Sequence, residues 1–111
     1  MITWLTGNSE SGKTWLAKAL QHTYGGIILD GDDMRKCWDL GFSKEDRWEQ
    51  NSRVAKIANV LDAQGYDVIV ATICPYMSLR AYVKYLTGCR FIYLDGGKKG
   101  KEYPYESKEF E

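Results

Sequence analysis

The sequence predicts an α/β domain: a short parallel sheet of about four strands with helices on both faces. Three observations carry this expectation. Short apolar runs alternate along the chain with longer segments of helical periodicity. One of the runs, Val68–Ala71, is apolar without a break, as befits a strand covered on both sides. Three loop segments, GNSESGKT, DGDD and TICPY, each follow a strand. Right-handed crossovers in a parallel sheet would gather such segments at the carboxyl ends of the strands.

The elements follow in order. Ile2–Leu5 reads as a buried strand. A helix is expected over Lys13–Thr23, with Leu16 and Leu20 on one face and Gly25-Gly26 closing it. His22, near its end, suits the negative helix terminus better than catalysis. Ile27–Leu29 is the second strand and runs into DGDD, with a short helix expected over Asp33–Trp38. Ser43, three residues before Asp46, is a helix cap. The long helix it starts, Lys44–Gln64, turns Val54, Ile57, Ala58 and Leu61 toward the sheet and stops at Gly65. Val68–Ala71 is the third strand, and Pro75 lies beyond it. A helix over Ser78–Leu86 places Leu79, Val83 and Leu86 on one side, and Arg90–Leu94 is the last strand. The remainder, GGKKGKEYPYESKEFE, has little apolar content. Residues 1–111 are therefore expected to form a single domain, with 96–111 as an irregular surface tail.

Gly7 to Thr14, GNSESGKT, has the spacing G-x-x-x-x-G-K-[ST] of a phosphate-binding loop. Gly7 and Gly12 permit dihedrals that a side chain would forbid, so the N–H groups of Asn8, Ser9, Glu10 and Ser11 can turn inward as an anion nest. The following helix adds its positive end, Lys13 reaches the phosphates, and the Thr14 hydroxyl is a Mg²⁺ ligand. A glycine-rich turn that binds nothing is the alternative. The strand before the loop and the helix after it weigh against that. A P-loop NTPase-like three-layer α/β/α arrangement follows, with ATP and Mg²⁺ as the implied cofactors.

LDGDDMR, Leu29 to Arg35, sets three carboxylates around one glycine at a strand end. Phosphoryl transfer needs one carboxylate near the metal and another to take the acceptor's proton; Asp30 and Asp32 are the candidates. Arg35 could clamp an anionic acceptor. Read alone, the segment is better taken as a turn whose acids cap the next helix; beside a phosphate loop the preference reverses. Arg47 and Arg53 lie near the start of the long helix, where a solvated face with a Glu49–Arg53 pair is the alternative to substrate contact.

Composition narrows the field. Lys plus Arg and Asp plus Glu number 15 each, so no global basic field draws nucleic acid to the chain. The three cysteines are widely spaced and the one histidine stands apart from them, which argues against a zinc site and for reduced thiols in a cytoplasmic protein. No apolar run approaches the length of a membrane span.

Taken together, WLTGNSESGKT, LDGDDMR, DLGFSKEDR, VIVATICPY and Arg80 resemble the adenylylsulfate kinases, which phosphorylate the 3′-hydroxyl of adenosine 5′-phosphosulfate. The resemblance covers roughly Ile2 to Asp95 in the family's order. It implies that Asp32 is the base toward the acceptor hydroxyl and that Lys13 and Thr14 serve the nucleotide. It also implies that Arg35, Phe42, Arg47, Gln50, Ile73 and Cys74 surround the acceptor. Two arginines suit a phosphosulfate, and Phe42 offers a stacking face for a purine.

Departures from the family pattern are specific. Gln50 stands where Asn is usual, with Asn51 as its substitute, and Cys74 stands where Ser is usual. Glu10 adds a negative charge to a loop position that is usually small. The lid segment D-x-K-G-L-Y and the final strand are missing, and the chain passes almost directly to a PYE segment. Lys98, Lys99 and Lys101 are the only candidates to replace the lid's lysine and arginine, and a solvated basic turn is the favoured alternative for that cluster. The expected function is thus an ATP-dependent small-molecule kinase acting on nucleotide substrates, with a homodimer left open. A kinase for a nucleic-acid hydroxyl and a catalytically impaired nucleotide-binding module are its rivals.

Overall fold

The computed structural model describes residues 1–100 and 104–106. Four parallel strands, β1 (Ile2–Thr6), β2 (Ile27–Asp30), β3 (Val68–Ala71) and β4 (Arg90–Tyr93), form one sheet in the order β2-β3-β1-β4. Ile2 pairs with Val68, Thr3 with Arg90 and Ile27 with Val68, so β1 and β3 are the central strands. The helices are α1 (Lys13–Tyr24), α2 (Gly31–Arg35), α3 (Lys44–Ala63) and α4 (Met77–Thr87).

The two-residue side-chain alternation of the strands divides the core into two layers. Trp4, Val68 and Val70 point to one face and pack with Val54, Ala58, Leu79 and Val83 of α3 and α4. Leu5, Ile69 and Ala71 point to the other and meet Ala17, Leu16 and Leu20 of α1. Every residue of β3 is buried, as its unbroken apolar run predicts. Each fully buried Val or Leu contributes about 1.5–3 kcal/mol, so the layers hold the strand ends in fixed register. The Ser43 cap forms: its hydroxyl accepts the Asp46 N–H at 3.1 Å. Arg53 pairs with Glu49 at 3.4 Å, the solvated-face alternative for that arginine.

Two expectations are corrected. The short helix is Gly31–Arg35, two residues earlier than expected, because the Asp30 carboxylate accepts the Asp32 N–H at 2.9 Å and starts it there. Lys36, Cys37 and Trp38 continue as turns bonded to Asp33, Met34 and Arg35. Among the described residues after β4, Pro104–Glu106 are irregular but are not a wandering tail. Pro104–Glu106 return to the sheet, where Tyr105 Oη lies 2.8 Å from Thr6 Oγ1 and the Glu106 N–H donates to Pro75 O at 2.7 Å. No helix among the described residues is long and apolar enough to cross a membrane.

Candidate active site

GNSESGKT, DGDD and TICPY do meet. They line a cleft of about 450 Å³ at the carboxyl ends of the strands. The loop between β1 and α1 forms one wall. A Cβ on Gly7 (φ +152) would stand 2.4 Å from Leu94 O, so only glycine lets the loop leave the sheet this close to β4. Gly12 (φ +98) precedes α1 without a side-chain cap, and no acid occupies the helix's first turn. The N–H groups there keep their positive end turned to the cleft.

Ser9, Glu10, Gly12, Lys13 and Thr14 line the cleft, whereas Gly7, Asn8 and Ser11 shape the loop behind it. Lys13 Nζ donates to Gly7 O at 2.9 Å and Asn8 O at 2.7 Å. Burial lowers its pKa, opposed by the charges of Asp30 and Asp32. Thr14 Oγ1 donates to Asp30 Oδ2 at 2.8 Å, while Asp30 Oδ1 holds the Asp32 N–H. The helix-capping alternative for the acidic turn is thus real, and it leaves Asp32 as a cleft-lining carboxylate with its own N–H already engaged. A hydroxyl beside a carboxylate is a hard-oxygen pair that suits Mg²⁺, and the uncapped loop above it suits phosphates.

The opposite wall belongs to Arg35, Phe42 and Arg47. The Arg35 guanidinium lies 4.3 Å from the Phe42 ring centroid and that of Arg47 5.8 Å. Both also hold the backbone between them: Arg35 Nη1 donates to Gly41 O at 2.6 Å and Arg47 Nε to Phe42 O at 2.9 Å. Since Arg35 stacks on the ring, at most one of its faces is left for a purine. Arg35 Nε is buried with no hydrogen-bond partner. Burial and the neighbouring Arg47 lower the Arg35 pKa, against Asp32 and Asp46. A buried donor without an acceptor, beside a second cation, fits a site for an anion.

Gln50 and Asn51 are both buried and differ in what they do. Gln50 Nε2 donates to Gly31 O at 3.0 Å, and its Oε1 accepts from the Trp38 indole, so its visible work is to fix the acidic turn. Asn51 sits in a chain from the core: Trp4 Nε1 to Thr72 Oγ1 at 2.9 Å, Thr72 Oγ1 to Asn51 Oδ1 at 2.6 Å, and Asn51 Nδ2 to Arg47 O at 2.8 Å. Ile73 and Cys74 back the cleft, with Cys74 in the left-handed region (φ +44).

Several residues were not picked out as part of the site from sequence. Thr6, Arg80 and Glu106 donate to the Ile73, Cys74 and Pro75 carbonyls, and Tyr105 contacts Thr6 and Arg80; of these, Arg80 and the PYE segment enter the sequence reading only as parts of the family pattern. Trp15 stands on the cleft rim, 75% exposed. An apolar ring in the first turn of a helix directly after Thr14 was the available signal for Trp15. The proposed lid lysines have other partners: Lys98 pairs with Glu10 at 3.4 Å and Lys99 with Asp95 at 3.5 Å. Lys101 lies outside the described residues.

Comparison with known proteins agrees with this geometry. The family model for adenylylsulphate kinase matches residues 1–95. An adenylyl-sulfate kinase of Pseudomonas aeruginosa is 42% identical over 97 residues, covering 78% of this chain and 48% of the relative. A probable adenylyl-sulfate kinase of Archaeoglobus fulgidus is 39% identical over 90 residues, covering 75% and 58%. The APS kinase CysC of Mycobacterium tuberculosis, solved in complex with AMPPNP and APS, superposes with a TM-score of 0.79 at 32% identity, covering 85% of this chain and 61% of that one. The chain spans about half the length of the P. aeruginosa relative. With a loop, an acidic turn and an arginine pair in one cleft, and a family model matching from Met1 to Asp95, the chain belongs to the adenylylsulphate kinase family.

Proposed function

We propose that this chain carries an ATP- and Mg²⁺-dependent phosphotransferase site that moves the γ-phosphate of ATP to the 3′-hydroxyl of adenosine 5′-phosphosulfate. One observation carries the reading: Lys13, Asp32 and the Arg35–Phe42–Arg47 group line the same cleft from opposite walls. Bound ATP–Mg²⁺ would supply the electrophilic phosphorus and neutralise charge on the phosphates. The residues' work is positioning. The loop N–H groups and Lys13 hold the phosphates, and Thr14 and Asp30 offer the oxygens for the metal. Arg35 and Arg47 hold the anionic end of the acceptor. Asp32 takes the hydroxyl proton as the oxygen attacks. The M. tuberculosis protein solved with AMPPNP and APS supports this choice of ligands.

The test is transfer of labelled γ-phosphate to a panel of adenylylsulfate, nucleosides and 5′-hydroxyl oligonucleotides. Adenylylsulfate should be the acceptor. Arg47→Ala should raise its dissociation constant and leave ATP binding alone, and Arg47→Lys should restore it only in part, since a point charge does not reproduce a planar fork. Transfer to oligonucleotides with none to adenylylsulfate would replace this reading with a nucleic-acid kinase.

A further inference from the structure

Three consecutive carbonyls in the turn after β3 each take a hydrogen bond from a different part of the chain. Ile73 O accepts from Thr6 Oγ1 at 2.6 Å, Cys74 O from Arg80 Nη1 at 2.8 Å, and Pro75 O from the Glu106 N–H at 2.7 Å. The three donors are themselves connected. Thr6 spends its one hydroxyl proton on Ile73 O, so in the 2.8 Å contact between Thr6 Oγ1 and Tyr105 Oη the phenol is the donor. The Arg80 guanidinium lies 4.7 Å from the Tyr105 ring centroid, and Arg80 Nη2 donates to Glu106 O. Glu106 Oε1 accepts the Met77 N–H at 2.8 Å, at the start of α4. Arg80 is 1% exposed, so its contacts are made away from water, where they count most.

The turn needs this support. Cys74 holds φ +44, a conformation that a residue with a Cβ adopts only against a steric cost. Ile73, Cys74 and Pro75 all contribute to the cleft. Relaxation of Cys74 toward an ordinary dihedral would re-aim the backbone on either side of it.

We infer that Arg80, Tyr105 and Glu106 are positioning residues that lock the Ile73–Pro75 turn in its left-handed form and so set the acceptor side of the cleft. What that side holds rests on the proposed function; that the turn is locked does not. Tyr105→Phe removes one donated hydrogen bond and little volume. Arg80→Lys keeps the charge but not the fork.

Two measurements on the full chain test the inference. In the first, adenylylsulfate and ATP affinities are measured by calorimetry. Tyr105→Phe should weaken adenylylsulfate about three- to tenfold, the scale of one neutral hydrogen bond, and Arg80→Lys more, with ATP changed less than about twofold. In the second, alkylation of the three cysteines is followed by peptide mass spectrometry. Cys74 and Cys89 are both buried. Loosening the turn should speed modification of Cys74 in both variants and leave Cys89 as in the wild type. Equal acceleration at Cys74 and Cys89, or none at Cys74, would overturn the lock. Adenylylsulfate and ATP weakened alike, or an unchanged adenylylsulfate affinity in the variants, would overturn its link to the acceptor side. A wild type that binds no adenylylsulfate would remove the proposed function, and the Cys74 rate would still decide the lock.

Discussion

The phosphate loop and the Ile73–Pro75 turn stand at the ends of adjacent strands and are built in opposite ways. Eight consecutive residues make the loop. Its shape comes from Gly7 and Gly12 and from Lys13 bonding to Gly7 O and Asn8 O a few residues back. The turn has no such local logic. Each forces a left-handed conformation on a residue with a side chain, Glu10 in the loop and Cys74 in the turn, but the turn's carbonyls are satisfied by Thr6, Arg80 and Glu106, drawn from β1, α4 and the chain beyond β4. One wall of the cleft is thus written in a short stretch of sequence, the other in side chains that only the fold brings together. Local walls should fail one residue at a time in chemistry, and remote walls should fail in geometry.

The largest effects are expected at Asp32, in the acidic turn beside the loop, and in the loop itself. Asp32→Asn should lower turnover by roughly 10²–10⁴, the range for loss of a general base, with ATP affinity nearly unchanged. Turnover that survives would pass the role to another carboxylate of the DGDD turn. Lys13→Ala should weaken ATP by about 2–4 kcal/mol, since it removes a charge-assisted contact in a partly buried site. Equal ATP affinities by calorimetry would break the view that the loop is the phosphate wall. Asp32→Asn should leave the melting temperature nearly unchanged, because that side chain is exposed.

That division also explains what the sequence made legible. The sheet, its four helices and the convergence of three loops follow from periodicity and punctuation, which act over a few residues. Arg35 closes LDGDDMR, and Phe42 and Arg47 lie in DLGFSKEDR just after it, so each is readable from its own short segment. Arg80 and Tyr105 were not readable as partners, because nothing in MSLR or PYE states that a ring 25 residues downstream will cover a guanidinium; their contact is 4.7 Å in space only. The start of α2 was misplaced for a smaller reason. Asp30 caps it from the last position of a strand, and a strand residue carries no sign that it also begins a helix.

A weaker effect probes whether the phosphate loop is as local as it looks. Gly97, in the stretch after β4, has φ +72, and a Cβ there would stand 2.4 Å from Ser9 O and 2.9 Å from Ser11 N. The Lys98 N–H donates to Ser9 O at 2.8 Å. The loop therefore has one distant prop. Gly97→Ala should cost roughly 1–3 kcal/mol, divided between stability and ATP affinity, because backbone must move on one side or the other. Lys98→Ala removes an exposed pair with Glu10 and should cost less than about 1 kcal/mol. Wild-type ATP affinity and melting temperature in Gly97→Ala would leave the loop wholly local.

The last expected effect is a change of slope with pH, and it isolates the remote wall. Burial pushes the Tyr105 phenol up to about 12, against a usual value of 10.0, while the charge of Arg80 acts the other way. Below pH 10 the phenol is protonated in both the folded and the unfolded chain, and its contribution to stability is whole. Between pH 10 and about 12 the unfolded chain releases this proton while the folded chain keeps it. The unfolded state then binds fewer protons, so stability falls as pH rises, and the loss levels off above the folded value. Tyr105→Phe has no such proton to release. Urea unfolding of both proteins across that window should show the wild type losing stability more steeply than the variant, so that its advantage shrinks with rising pH. Other tyrosines titrate in both proteins and cancel in the difference. Parallel slopes would mean that Tyr105 ionises alike in the folded and unfolded chain, and the ring would then not be held against the turn as the structure places it.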